Sequence, residues 1–210
     1  MIRRVSIYAC IATALAPCIA QSRDTSPVRM DLQVQSCDFN FTDAFSGVIN
    51  KPNKDNNFGS AGYSATIHVS GAKESFGFDF TCYSQFRDLN EVATDYGGHF
   101  EPRQKKWISD FPGAPADEAS RLREVTKTFP LNSKNGHGFY TIQDETIGEP
   151  YLRMRHISYC LFHGTKAVCG NGQVKRLVDA KSDMLPYALS ILRSVEFTDA
   201  SPETGKTSNP

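Results

Sequence analysis

Apolar and polar residues alternate with a period of two in several stretches of the first half of the chain, as in β-strands with one buried face. The apolar positions are Val28, Met30, Leu32 and Val34, then Tyr63, Ala65, Ile67 and Val69, then Phe76, Phe78, Phe80 and Cys82. Residues 37–41 continue the first stretch one residue out of phase, which predicts a β-bulge near Ser36. In the second half, residues 139–144, 151–162 and 167–178 are also predicted to be strands.

The C-terminal part of the chain has the clearest helical pattern. Apolar residues recur at spacings of three and four over residues 184–195, and Asp183 is the predicted N-cap. Residues 86–93 and 117–127 are predicted to be short helices, the second with Asp117 as its cap. The order of these elements predicts an α+β domain in which an antiparallel sheet carries the C-terminal helix on one face.

The first twenty residues have the layout of a secretory signal peptide. Two arginines precede an apolar run over residues 5–16, small residues follow, and cleavage is predicted after Ala20. The run is shorter than the roughly 20 apolar residues that span a bilayer. Residues 15–18 loosely resemble a bacterial lipoprotein box, although Pro17 stands where that pattern has a small residue. The sequence therefore predicts a periplasmic or secreted protein, with lipidation of Cys18 as the less favoured alternative.

The rest of the chain has the length and charge of one globular domain. The whole chain carries 23 basic and 23 acidic residues, and removal of residues 1–20, which hold two arginines and no acidic residue, leaves a net charge of −2. Nucleic-acid binding usually shows as a basic surplus, so no nucleic-acid partner is predicted. Residues 21–198 are predicted to form a single domain, and the polar residues 199–210 a disordered tail.

Cleavage after residue 20 would leave four cysteines: Cys37, Cys82, Cys160 and Cys169. An even number in an exported chain predicts two disulfides. Gly164-Thr165 has the composition of a type II′ turn between two strands. The resulting register places Cys160 opposite Cys169 with Cα atoms about 4.5 Å apart, within reach of a disulfide, and Cys37–Cys82 follows by elimination. There is no C-x-x-C and no zinc-finger spacing, so no metal, cofactor or redox site is predicted.

The predicted hairpin, the helix after it and the segment Leu189-Ser190-Ile191-Leu192-Arg193-Ser194-Val195-Glu196-Phe197 resemble the end of domains with the PsbP/Mog1-like fold. The resemblance covers about the last quarter of the chain. Exported bacterial proteins that are similar to this family include periplasmic immunity proteins, which neutralise toxins delivered by type VI secretion. The resemblance implies an exported domain with a protein partner and carries over no catalytic residue.

A basic cluster precedes the only tryptophan of the chain, in a segment rich in glycine and proline. Tryptophan and arginine are favoured at protein–protein hot spots. The predicted binding residues are therefore Arg103, Lys105, Lys106 and Trp107, within an irregular interaction surface predicted over residues 90–117. In the alternative interpretation, the tryptophan is tucked into the core and the lysines solvate its rim.

No catalytic residue is predicted, because the five histidines lack metal-ligand spacing and no nucleophile motif occurs. His137 lies in a glycine-rich turn and could serve a hydrolase together with an acidic residue. Asp144, Glu145 and Glu149 form an acidic cluster that the sequence alone does not distinguish from a solvated loop. The sequence favours an exported, non-enzymatic binding or inhibitor domain, such as an immunity-type partner of a toxin or hydrolase. A small-ligand-binding or structural envelope protein and a secreted hydrolase are the alternatives.

Overall fold

The computed structural model describes residues 26–50, 59–69 and 71–198. The predicted signal peptide with Cys18 and the predicted tail lie outside the described residues. Within them, three α-helices are formed: α1 (Leu89–Ala93), α2 (Ala116–Val125) and α3 (Leu185–Ser194). The strands are β1 (Val28–Val34), β2 (Cys37–Asp43), β3 (Val48–Asn50), β4 (Ser60–Val69), β5 (Ala72–Ser84), β6 (Gly98–Glu101), β7 (Lys106–Ser109), β8 (Thr126–Asn132), β9 (His137–Asp144), β10 (Met154–His163), β11 (Lys166–Arg176) and β12 (Glu196–Phe197).

The fold is mainly β, so the predicted α+β class is wrong. Strands hold 52% of the described residues, and helices hold 21% when three short 3-10 helices are counted with the α-helices. The strands form a seven-stranded antiparallel sheet in the order β3-β4-β5-β11-β10-β9-β8, a three-stranded sheet in the order β1-β2-β12, and the separate hairpin β6–β7. Five of these strands (β3, β6, β7, β8 and β12) are short or mostly polar, and alternation in the sequence does not indicate them.

One face of the large sheet packs against β1, β2 and α3. Phenylalanine rings fill this core: Phe39 and Phe41 of β2 lie 5.3 and 5.5 Å from Phe80 of β5, measured between ring centroids. The predicted C-terminal helix is present as α3, and it buries Ala188, Leu189, Ile191 and Leu192. The layer on this face is therefore a helix together with a small sheet, rather than the helix alone.

The opposite face of the large sheet carries a second, smaller core. Phe139 of β9 and Phe162 of β10 are buried there with Val92 and Ala93 of α1, and Trp107 of β7 packs against them. The molecule therefore has three layers, and α1 with the β6–β7 hairpin forms the third.

β1 and β2 form a hairpin, so the predicted bulge near Ser36 is wrong. Val34 pairs with Cys37, and the chain reverses at Gln35-Ser36 with Gln35 at φ 50°. A positive φ normally selects glycine, asparagine or aspartate, and neither residue of this turn is one of them. The sequence therefore shows the change of phase without showing the turn that causes it.

Both predicted disulfides are present. Cys160 and Cys169 join β10 to β11 in the predicted register, with Cα atoms 4.0 Å apart, and Gly164 in the turn has φ 57°. Cys37 and Cys82 join β2 to β5 across 45 residues. The bridges lie on opposite faces of the large sheet: one ties the first layer to the sheet, and the other lies under the third layer. Two disulfides are compatible with an exported protein.

Two of the predicted helix caps differ in the structure. α2 begins at Ala116 without a side-chain cap, so Asp117 is not its N-cap. Asp183 precedes the first turn of α3, where its Oδ1 accepts a hydrogen bond from the backbone N–H of Leu185 at 3.1 Å. In α1, which is shorter than predicted, Asp88 caps the first turn through the N–H of Asn90.

Candidate binding site on the β6–β7 hairpin

The segment predicted to be irregular, residues 90–117, contains the β6–β7 hairpin. The side chain of Asn90 holds its first strand, since Oδ1 accepts from the N–H of Phe100 at 2.7 Å and Nδ2 donates to its carbonyl at 3.3 Å. The second strand is held by the hydroxyls of Ser109 and Thr128, which lie 2.7 Å apart. The hairpin is thus fixed to α1 on one side and to β8 on the other.

Close contact between the hairpin and the large sheet depends on Gly98. A Cβ atom at this position would lie 2.2 Å from the ring of Phe139, so a larger residue would push β6 off the sheet. This approach brings Trp107 onto the same apolar surface. Its ring centroid lies 4.6 Å from that of Phe139 and 5.2 Å from that of Phe100. The indole is half-buried, and it packs on the core in the way the alternative interpretation describes.

The tip of the hairpin carries three exposed cations: Arg103, Lys105 and Lys106. Glu101 lies opposite Lys106 in the backbone pairing of β6 and β7. The Glu101 carboxylate accepts a hydrogen bond from the backbone N–H of Arg103 at 3.1 Å. None of the three cations forms an ion pair with the residues that the structure describes. Lys105 has φ 50°, a left-handed conformation in which a non-glycine residue is strained.

A groove of about 410 Å³ lies between the hairpin tip and the edge of the large sheet. It brings Lys105, Lys106 and Trp107 together with His137, while Arg103 stands outside it. The remaining lining residues are Phe100, Thr128, Pro130, Asn132 and Gly138. Its lining contains no carboxylate, so the groove suits an anionic group next to an aromatic wall. It supplies His137 with no acidic partner of the kind that hydrolase chemistry would need.

Two of the three carboxylates of the predicted acidic cluster, those of Asp144 and Glu145, contact basic side chains of β10 instead. Asp144 accepts two hydrogen bonds from Arg155, at 2.5 Å from Nε and 2.8 Å from Nη2. Glu145 contacts Nε2 of His156 at 2.6 Å and accepts from the N–H of Met154. The hydrogen bonds from Arg155 and His156 lower the pKa of Asp144 and of Glu145 respectively. Both carboxylates are therefore ionised at neutral pH and act as structural anions.

Sequence reasoning missed Phe100 and the β8 residues of the groove. β8 has no clear alternation, contains Pro130, and forms the edge of the large sheet, where a residue without an N–H is tolerated. The nearest signal in the sequence is the glycine-rich turn before His137, which ends at the start of β9. Among the described residues, no group of three or more His, Cys, Asp or Glu side chains could hold a metal ion.

Comparisons with known proteins find no family model, no curated protein and no solved structure that matches the chain. Nothing therefore identifies a PsbP/Mog1-like domain. Within the described ranges, every helix is too short or too polar to cross a membrane. The fold and the hairpin surface define a mainly β domain with two disulfides and a basic, aromatic groove.

Proposed function

We propose that this chain is an exported binding domain that engages a protein partner through the tip of the β6–β7 hairpin. The observation that carries the proposal is the group of three exposed cations, Arg103, Lys105 and Lys106, which have no ion pair within the described residues. Such a group on a rigid hairpin attracts an acidic surface and raises the rate of association with it. The two disulfides support an exported location, either periplasmic or secreted.

The groove beside the tip supports a specific complex over a diffuse electrostatic one. Trp107 and Phe100 form an apolar wall next to Lys105 and Lys106. An aromatic or aliphatic side chain of the partner could insert there while an adjacent carboxylate meets a lysine. A buried anchor surrounded by charges is typical of protein–protein hot spots. A toxin or hydrolase with an acidic active-site rim is the kind of partner that an inhibitor or immunity-type domain would bind.

The strain at Lys105 also supports a role for the tip. A glycine at φ 50° would relieve the backbone, yet a lysine occupies this position. Strained residues persist where the surrounding structure holds them, and they cluster at functional sites. The conformation sets the direction of the side chain, which lines the groove beside Lys106.

The proposal is tested by affinity capture from the envelope and culture medium of the source organism with three baits. These are the wild-type domain, the variant K105E/K106E, and the control K73E/K181E, which changes the net charge equally at a distant surface. We expect one acidic protein to be captured by the wild type and the control but not by K105E/K106E, and its purified complex to weaken as salt rises. Equal capture by all three baits, or no specific capture, contradicts the proposal.

A further inference from the structure

A second cleft lies on the same face of the large sheet, where β6 begins and β7 ends. Its volume is about 480 Å³, within the range of about 300–1,000 Å³ that is usual for small-molecule sites. Its walls come from the turn before β6, the segment after β7, and α2, while its floor is formed by the large sheet. It is separate from the groove at the hairpin tip, with which it shares no lining residue.

The floor of this cleft is made of uncharged hydrogen-bonding side chains. Thr126 of β8 lies opposite Gln143 of β9, and Thr141 of β9 lies opposite Ser158 of β10. Directly opposed residues of antiparallel strands project from the same face, so these four side chains form one polar surface across three strands. All four line the cleft.

Of the four floor side chains, Ser158 is paired within the protein, since its hydroxyl donates to Oδ1 of Asn171 at 2.7 Å, and the other three are not. Thr126 is only 7% exposed, and its Oγ1 has no hydrogen-bond partner among the described residues. The side chains of Thr141 and Gln143 likewise form no hydrogen bond within the described part of the chain. Buried polar atoms in folded proteins are nearly always paired, and an unpaired buried hydroxyl costs about 1–3 kcal/mol. Thr126 Oγ1 is the one buried side-chain atom without a partner among the described residues, and it lies beside the side chains of Thr141 and Gln143, so the cleft is suited to a ligand that provides the partners.

The residues that form the walls of the cleft restrict the chemical class of that ligand. No lysine or arginine lines the cleft, which disfavours an anion. Asp95 and Asp110 stand at the walls, and the second lies 3.8 Å from Nδ1 of His99. A simple cation would bind these carboxylates and leave the floor unsatisfied. Phe111 and Leu122 add apolar surface. A hydroxyl group both donates and accepts hydrogen bonds. A compound with many hydroxyl groups can therefore pair with the threonine hydroxyls, the glutamine amide and the aspartate carboxylates of this cleft.

We propose that this cleft binds a small uncharged saccharide, a mono- or disaccharide. Its hydroxyls would pair with Thr126, Thr141 and Gln143, and the carboxylates of Asp95 and Asp110 would accept from the others. The apolar face of a sugar ring would lie against Phe111 and Leu122. This site is independent of the protein-binding function proposed for the hairpin tip.

The test compares two threonine-to-valine variants, one that removes an unpaired hydroxyl in the cleft and one that removes a paired hydroxyl outside it. Thr126→Val removes the unpaired hydroxyl, whereas Thr66→Val removes a hydroxyl of β4, outside the cleft, that already pairs with Ser75 at 2.9 Å. Binding of cellobiose, maltose and N,N′-diacetylchitobiose is measured by saturation-transfer NMR and calorimetry, with putrescine and inorganic phosphate as contrasting probes. We expect at least one disaccharide to bind the wild type, Thr126→Val to lower its affinity about tenfold, and Thr66→Val to leave it unchanged.

Unfolding in urea shows whether each variant is folded. Thr126→Val should be as stable as the wild type or more so, because an unsatisfied hydroxyl is lost, while Thr66→Val should be no more stable than the wild type, because a satisfied one is lost. K105E/K106E should bind the disaccharide as the wild type does, so that failure of either site is seen separately. The proposal is overturned if no disaccharide binds, if only putrescine or phosphate binds, or if Thr126→Val binds as tightly as the wild type.

Discussion

The indole ring of Trp107 lies parallel to the phenyl ring of Phe162, with centroids 5.7 Å apart and planes inclined by 4°. Phe162 belongs to β10, an interior strand of the large sheet, and lies two residues beyond the disulfide-bonded Cys160. The stack therefore joins the hairpin that carries the cations to the disulfide-linked pair of strands β10 and β11. Trp107 positions the proposed binding surface as well as bordering it.

Trp107→Ala is expected to lower the free energy of unfolding by about 3 kcal/mol, because a large stacked ring is replaced by a cavity. Trp107→Phe, which keeps an aromatic ring against Phe139 and Phe162, should cost less than half of that. Urea unfolding followed by circular dichroism measures both variants. A loss below 1 kcal/mol for the alanine variant would show that the ring does not join the hairpin to the sheet.

Lys105→Gly should stabilise the free domain by about 0.5 kcal/mol, since relief of the strained φ outweighs the greater flexibility of glycine in the unfolded chain. The matched control is Lys106→Ala, a neighbour that lacks a positive φ, which should change stability by less than about 0.5 kcal/mol. Both variants should bind the protein partner more weakly. Thermal unfolding and the affinity of the purified complex are the two measurements. Destabilisation by Lys105→Gly would contradict the assignment of strain to this residue.

The sequence predicted the parts of the fold that short-range rules determine. A two-residue turn led by Gly164 sets the register of β10 and β11, and that register places Cys160 opposite Cys169. The alternation in β1, β4 and β5 and the helical spacing in α3 likewise depend on neighbours within a few residues. These elements are where prediction and structure agree.

The fold class depended on contacts that the sequence does not display. The strong pattern of α3 suggested a helical layer, but strands such as β8 take their conformation from pairing with β9 rather than from alternation. The turn at Gln35-Ser36 lacks the usual residues for a positive φ, so one hairpin was mistaken for one bulged strand. The environment of Trp107 depends on Phe139 and Phe162, which lie more than thirty residues away along the chain.

The candidate site residues were also predictable only in part. A basic cluster beside a tryptophan is visible in the sequence, and three of its four predicted residues line one groove. The polar cleft was missed because Thr126, Thr141 and Gln143 look like the solvent-facing positions of ordinary strands. Only the pairing of β8, β9 and β10 places them side by side, and only the fold brings Leu122 of α2 to the same cleft.

The two disulfides should differ in their contribution to stability. The chain-entropy relation gives about 4 kcal/mol for Cys37–Cys82, which closes 45 residues, and about 2.6 kcal/mol for Cys160–Cys169, which closes 9. All four cysteines are buried, so the double variants C37A/C82A and C160A/C169A remove similar packing and serve as controls for each other. Urea unfolding compares them. A larger loss for C160A/C169A would mean that packing under the third layer, rather than loop closure, dominates.

The pair formed by Asp144 and Arg155 should make stability depend on pH in the acid range. The hydrogen bonds from Arg155 lower the pKa of Asp144. The contribution of this pair to the free energy of unfolding is therefore complete above the unfolded-state pKa of about 3.9. It is lost as pH falls through the lower folded-state pKa. Asp144→Asn should cost about 1 kcal/mol at pH 7, and the difference from the wild type should decrease as pH falls below about 3.9. Asp31→Asn, at a pair whose side chains are 60% and 74% exposed, is the control and should cost less than about 0.5 kcal/mol at pH 7. A difference between Asp144→Asn and the wild type that persists unchanged at pH 2 would contradict the assignment.

Buried tyrosines should limit stability in alkali. Burial raises the pKa of Tyr63, whose hydroxyl also donates to the Asp43 carboxylate at 2.8 Å, and burial raises the pKa of Tyr159, which donates to the Asp79 carbonyl. Their neutral forms therefore stabilise the fold fully below the unfolded-state pKa of about 10, and this stabilisation is lost as pH rises further. In a titration followed at 295 nm, these tyrosines should ionise only in the step in which circular dichroism reports unfolding. In guanidinium chloride, all tyrosines should titrate together near pH 10. Complete ionisation of the folded domain before unfolding would show that Tyr63 and Tyr159 are accessible to solvent.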